Sequence, residues 1–546
     1  MKRIQQLLWC LMATSTLVSA QPAAKGEGAL QPVHAGKPGS SAFWNSYAGR
    51  FIYPPAFEIS ETKGAAFYRF TVTGSDGRQH RFKEWKPWNA LTPVWEAVPE
   101  GVTELEVTAM DRAGKAVAAP VKRTFYRSPA FPGVAIKPAS VYFNAGRQGL
   151  EALFKTPAVQ YWLQHKKPDP AYARYCFPNK VIGGLLRGMI AYVQLAATKR
   201  ERTDALQMAR NMGDYLLSVR QPATAHYAFI PPTYLNNVET PAGPALKRWQ
   251  EGWFMVPSAI DAALGFLDLF DATGDSVYFQ ATQRIAQTLA ATQEPDGTWP
   301  LMVKGTESRP VTPQRLIPTP VILFFDRMEQ QYAIHSYRLA KERAWSWILK
   351  NPLETYQWDG QFEDVALHGA YKNLAREQAC DVASLLLDQA TGNPAGMAQA
   401  EELLRFAEDQ FVVWAPVKDP EGWNHTIGGR KRAPETWFAP TVLEQYVCYE
   451  PVARSSAVLI HVYLKAHTVT KKQVYLEKAA ALANGLLAGQ SWISETYGGI
   501  AEIPTWVKKV KPSNWMNNSF YAAEAVLRLA TVLNKIQERT RAGGSS

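Results

Sequence analysis

"GFLDLFDATGDSVYFQATQRIAQTLAATQ", residues 265–293, decides the fold. Its apolar residues recur at helical spacing on both sides of a tight turn near Thr273, so the stretch predicts two helices folded back on each other. The layout returns three times, at 191–221 ("AYVQLAATKRERTDALQMARNMGDYLLSVRQ"), 385–410 ("LLLDQATGNPAGMAQAEELLRFAEDQ") and 461–490 ("HVYLKAHTVTKKQVYLEKAAALANGLLAGQ"). Each copy turns near a threonine (Thr198, Thr273, Thr391, Thr468) and closes at a glutamine (Gln221, Gln293, Gln410, Gln490). The threonines are 75, 118 and 77 residues apart, and the long middle interval leaves room for another hairpin that includes 326–349. A last helix at 519–537 is expected to pair with an opening helix near 147–165. That makes six hairpins.

Six helical hairpins that bury their apolar faces only against one another make a ring. The expected fold is therefore mainly α, an (α/α)6 toroid over residues 131–540. Before it, residues 42–130 change period. "AAFYRFTVTG" (65–74), "TELEVTAM" (103–110) and "KRTFYRS" (122–128) alternate apolar with polar and are separated by turns, which predicts a small β-sandwich similar to fibronectin-type or immunoglobulin-like modules. Trp44, Trp85, Trp88 and Trp95 in this region are expected in the core or at an interface. Residues 21–41 read as a flexible lead-in. Residues 1–20 have the form of a signal peptide: Lys2 and Arg3, a short apolar run, then Val18-Ser19-Ala20. A periplasmic or secreted protein with no membrane span is expected.

The chain carries 59 Lys and Arg against 48 Asp and Glu. Its basic balance suits an anionic partner such as an acidic oligosaccharide or polysaccharide, while nothing in it resembles a nucleic-acid module. Cys176, Cys380 and Cys448 are expected as buried thiols rather than a disulfide framework. No His-x-x-x-His or Cys-x-x-Cys pair points to a metal, and no nucleophile elbow or phosphate loop is present, so neither a metal nor a cofactor is expected.

Function is sought in the connections. Within a hairpin they are short; between hairpins they run to tens of residues, at about 167–180, 221–253, 294–320, 351–372, 411–450 and 491–517. Long connections in compact domains are usually functional. In a toroid they gather at one mouth, where the first helix of each pair begins. Ten tryptophans fall in them (249, 253, 299, 358, 414, 423, 437, 492, 506 and 515), which suits the C–H face of a sugar ring.

Five carboxylates in these loops are candidate catalytic groups. Asp359, Glu363 and Asp364 stand among aromatics before an inner helix; Glu450 and Glu251 hold the same relative position elsewhere. Glycosidic cleavage commonly needs one protonated and one ionised carboxyl group, and desolvation by aromatic neighbours raises a carboxyl pKa. Helix capping by these acids is the competing explanation. Candidate substrate-binding residues are Tyr175, Asn179, Lys180, Trp253, Trp358, His425, Arg430, Tyr449, Arg454, Trp515 and Asn518. Arg and Lys at such a mouth suit a substrate carboxylate.

The sandwich-plus-toroid layout with aromatic inter-hairpin loops resembles carbohydrate-active enzymes of the uronic-acid-handling toroid families found in Bacteroidetes. The resemblance implies a glycoside hydrolase removing terminal uronic acid, β-glucuronidase-like. A polysaccharide lyase or uronate epimerase of the same fold is the alternative, with a non-catalytic glycan-binding protein as a third reading.

Overall fold

A computed structural model of the chain describes residues 31–35, 45, 48–243, 245–246, 250–304, 309–358, 361–362, 376–416, 426–427, 430–431, 437–444, 451–497, 499–501 and 515–543. For 426–427, 430–431, 491–497 and 542–543 it describes the backbone only.

The β region is one sheet. Strands β1 (Arg50–Phe51), β2 (Phe67–Thr73), β3 (Gln79–Glu84), β4 (Gly101–Met110) and β5 (Val121–Arg127) form it in the order β1-β5-β4-β2-β3. Every pairing is antiparallel except that of β1 with β5. The alternation read from the sequence puts Phe70, Val72, Leu105, Val107 and Phe125 into the core. Register carries the polar set to the other face, where Thr71 stands opposite Glu106 and Arg81, and Glu106 opposite Lys122. The expected sandwich is corrected here: among the described residues no second sheet covers the apolar face. Phe57, Leu91 and Trp95 from irregular connections do so, and the Trp95 indole donates to the Ile52 carbonyl at 2.9 Å. Period-two alternation reports one buried face and is silent about what buries it.

The helices form the expected ring. In chain order they are α1 (Ala139–Lys155), α2 (Pro157–His165), α3 (Gly183–Val193), α4 (Lys199–Ser218), α5 (Ser258–Thr273), α6 (Ser276–Ala291), α7 (Thr319–Tyr332), α8 (Arg338–Lys350) and α9 (Pro352–Thr355). Then come α10 (Glu377–Asp388), α11 (Pro394–Phe411), α12 (Ala453–Thr470), α13 (Gln473–Tyr497) and α14 (Met516–Gly543). The inner wall runs α3, α5, α7, α10, α12, α14 and closes on α3 again, each helix packed on the next. Outside them α4, α6, α8, α11 and α13 pack on the inner helix that precedes each, and α1 packs on α14. The opening helix therefore starts earlier than expected, at Ala139, and breaks at Thr156-Pro157 into α1 and α2.

Local chemistry explains the hairpins. Thr198 caps α4 through a reciprocal capping box with Glu201. Gly274 ends α5 with φ +71°, a conformation that costs glycine least, and Asp275 caps α6. Gly184 lets the ring close, because a Cβ there would stand 2.8 Å from that of Asn517 on α14. The closing glutamines work outward. Gln293 donates to the Ala340 carbonyl of α8, and Gln490 to the Ala145 carbonyl of α1, each tying one outer helix to the next.

The sheet docks on the end of α11. Asp409 accepts from the backbone N–H groups of Ile52 and Tyr53 at 2.6 and 2.8 Å, and Arg50 donates to the Gln410 carbonyl at 2.9 Å. Cys176 and Cys380 are buried thiols outside any disulfide, as expected; Cys448 lies outside the described residues. Among the described residues no helix is long and apolar enough to cross a membrane.

Candidate active site

The inner helices are parallel, so their N-termini meet at one end of the ring, and the long connections meet there with them. The 221–253 connection bonds to the 167–180 one where Asn179 donates to the Pro231 carbonyl (2.7 Å) and Leu235 N–H to the Cys176 carbonyl (2.9 Å). Strand β6 (Trp253–Met255) then pairs with β7 (Met302–Lys304) of the following connection. Gln361 accepts from Ile317 N–H at 3.0 Å, and Met516 N–H donates to the Tyr172 hydroxyl at 3.3 Å. These contacts join the described parts of the 167–180, 221–253, 294–320 and 351–372 connections and the start of α14.

Inside the mouth the first turns of four inner helices bring charges together. Arg454 (α12) makes a 2.9 Å ion pair with Glu377 (α10), and the two side chains remain 24% and 33% exposed to the lumen. The Arg454 guanidinium also lies over the Tyr521 ring of α14 at 4.7 Å. The Tyr521 hydroxyl crosses to Asp261 Oδ1 of α5 at 3.4 Å. One turn below Glu377, Asp381 accepts from the Thr319 hydroxyl of α7 at 3.0 Å.

These carboxyl groups are shifted in different directions. Burial pushes Asp261 above the usual carboxylate range, against the pull of Arg454. Burial acts on Glu377 in the same direction, but Arg454 and Arg376 beside it win and hold it below that range. Burial, reinforced by Glu377, raises Asp381 to about 7. Burial and the Asp261 charge push the Tyr521 hydroxyl up to about 12. The result is two carboxyl groups, Asp261 and Glu377, shifted in opposite directions around a single guanidinium.

A second feature flanks the mouth. The π-helical turn Pro178–Ile182 leads into α3 and carries Lys180. Lys180 Nζ stands 4.9 Å and the Arg174 guanidinium 4.4 Å from the centre of the half-buried Trp515 ring. Two cations and an indole thus make a platform for a flat, anionic group.

The residues expected from sequence divide sharply. Lys180, Arg454 and Trp515 belong to this assembly, and Asn518 lies beside it at the start of α14, accepting from the Asn517 side-chain amide at 3.4 Å. Tyr175 does not. It is fully buried, takes the Trp162 indole N–H at 2.7 Å and donates to the Ala158 carbonyl, so it is core. Asn179 is likewise fully buried and serves the Pro231 bond. Trp358 is buried against Phe406 and Tyr356. Trp253 is half-buried on β6, and Glu251 is exposed and bonded to Asn236, not to the lumen group. Asp359, Glu363, Asp364, Glu450, His425 and Tyr449 lie outside the described residues, as does the side chain of Arg430.

The indole-lined mouth is corrected too. Trp299, Trp358, Trp414 and Trp437 are buried and form the internal cores of the long connections. Trp492, Trp249, Trp423 and Trp506 lack described side chains. Sequence reading missed Asp261, Glu377, Asp381 and Tyr521. Two like charges at i and i+4 in a helix's first turns disfavour each other, so "EQACD" (377–381) carried a signal.

No family model matches the chain, and no curated protein is similar to it in sequence. Among solved structures it is similar to a family 76 glycoside hydrolase from a bovine Bacteroides thetaiotaomicron strain, at 11% identity over 85% of this chain and 93% of that one (TM-score 0.47). It is similar to the cellobiose 2-epimerase from Spirochaeta thermophila at 13% identity over 72% and 97% (TM-score 0.48). An unsaturated glucuronyl hydrolase specific for heparin shares 12% over 72% and 97% (TM-score 0.43). What the mouth does is read from its own side chains.

Proposed function

We propose that the chain is a glycoside hydrolase that removes terminal uronic acid, in the manner of a β-glucuronidase, from acidic glycans outside the cytoplasm. The observation that carries this reading is the opposed pair at the mouth, Asp261 raised and Glu377 lowered around Arg454. Environments that drive two carboxyl groups apart in pKa assign an acid and a base.

In this reading Asp261 protonates the glycosidic oxygen as the bond to the anomeric carbon breaks. Glu377 stays ionised and either attacks that carbon or takes a proton from the water that does. Arg454 holds Glu377 ionised and fixes its orientation. Lys180 and Arg174, held over the Trp515 ring, take the uronate carboxylate. Tyr521 is a poor base at about 12, which disfavours proton abstraction by that residue and hence a Tyr521-driven lyase or epimerase.

The test is to incubate the full chain with glucuronide-capped oligosaccharides and with neutral glycosides. Free glucuronate from the former, with no rise in ultraviolet absorbance, supports the reading. An unsaturated, absorbing product would make the protein a lyase. Turnover of neutral glycosides alone would remove the uronate assignment, and binding without turnover across the panel would leave a glycan-binding protein.

A further inference from the structure

The lumen does not end at the Arg454–Glu377 layer. Arg454, Val458, His461, Lys465 and Thr468 follow one face of α12, and Asp381 with Ser384 continues the lumen face of α10. Below Arg454, these residues with Arg528 and Val532 of α14 line a half-open cavity of about 420 Å3 in the half of the ring away from the mouth. That volume lies in the range of small-ligand sites.

The two walls of this far half differ. On the α3, α5 and α7 side, the two described arginines have carboxylates: Arg187 meets Asp268 at 2.8 Å, and Arg327 meets Asp268 at 2.8 Å and Asp271 at 3.1 Å. On the cavity side Lys465 is held by Ser384 Oγ (2.8 Å) and Asp388 (2.5 Å). Arg528 and His461 are exposed and, among the described residues, make no hydrogen bond or ion pair. Asp381 is the carboxyl group lining the cavity, and burial keeps it half-protonated near neutrality. Val458, Val462 and Val532 supply apolar wall between the polar groups. A guanidinium facing a half-open, partly apolar cavity without a counter-ion favours an anion there.

We propose that this far chamber is a second binding site, which takes a small carboxylate-bearing ligand of sugar-acid size with Arg528 as its principal contact and Lys465 as the supporting charge. The site stands on the cavity and its unpaired cation. It does not depend on Asp261 and Glu377 being catalytic.

The experiment is calorimetric titration of the full chain, at low salt, with sodium glucuronate, sodium sulfate and glucose, using wild type, Arg528→Gln and Lys180→Met. Saturable glucuronate binding that weakens about tenfold or more in R528Q and persists in K180M supports the chamber. R528Q changes an exposed, unpaired side chain, and an unaltered thermal transition confirms that it folds. Tighter binding of glucuronate than of sulfate assigns the site to a sugar acid, and equal binding to any small oxyanion. Glucose is expected to give no heat. No saturable binding, binding unchanged in R528Q, or binding lost only in K180M would each overturn the proposal. The last outcome would return the anion to the mouth.

Discussion

Two carboxylate–cation pairs on neighbouring helices show how differently the same chemistry can be used. Glu408 of α11 and Lys478 of α13 meet at 2.5 Å with side chains only 2% and 9% exposed. The Trp414 indole (2.9 Å) and the Tyr463 hydroxyl (3.3 Å) also donate to Glu408, and the Phe131 and Tyr463 rings flank Lys478. Every group there has its partner, and the pair ties three helices together. Glu377 and Arg454 meet at 2.9 Å in the lumen, in partial contact with solvent, with Asp261 and Asp381 crowding the same guanidinium. A closed, balanced pair holds a fold; an open one with surplus carboxyl groups holds protons in unequal places.

Breaking the closed pair should have the largest effect. Glu408→Gln leaves Lys478 buried without its counter-charge and is expected to cost about 3–5 kcal/mol of stability, read from denaturant midpoints. A loss below about 1 kcal/mol would make it no different from an exposed pair.

The open pair should respond in pH dependence. Arg454→Gln removes the charge that holds Glu377 ionised. The acidic limb of kcat/KM should then move to higher pH, by about one to three units. An unmoved limb with reduced activity would make Arg454 a packing residue only.

A smaller effect concerns stability against pH. Asp381 and Asp409 are both raised to about 7, the first by burial and Glu377, the second by burial. An aspartate raised in the native state keeps its proton longer than in the unfolded chain. Stability is therefore expected to fall as pH climbs from about 4 to about 7. Asp381→Asn should flatten part of that decline, while a decline of unchanged slope would show that Asp381 ionises normally.

The smallest effect tests the hairpin grammar. Thr198→Ala removes the cap of α4 and should cost about 1 kcal/mol by thermal or chemical unfolding.

The ring was legible because its signals are local: helical spacing, the Thr198 cap, Gly274 and Asp275 at a turn. The chemistry was less so. Trp358 and Tyr175 have the composition of a sugar site and the burial of a core, and composition cannot separate the two. Asp261 and Glu377 lie more than a hundred residues apart and meet only because ring closure brings α5, α10 and α12 to one lumen. The run 359–364 was conspicuous in sequence; the pair 377 and 381, a few residues on, needed the helix face to be visible.

The most direct test compares free-uronate release by wild type, Asp261→Asn and Glu377→Gln at matched folding. Both variants are expected to lose about 10²–10⁴-fold in kcat while still binding the glycan. Wild-type turnover in either variant, with loss instead in an amide variant of Asp359, Glu363, Asp364 or Glu450, would contradict the lumen pair and move the chemistry to the loops.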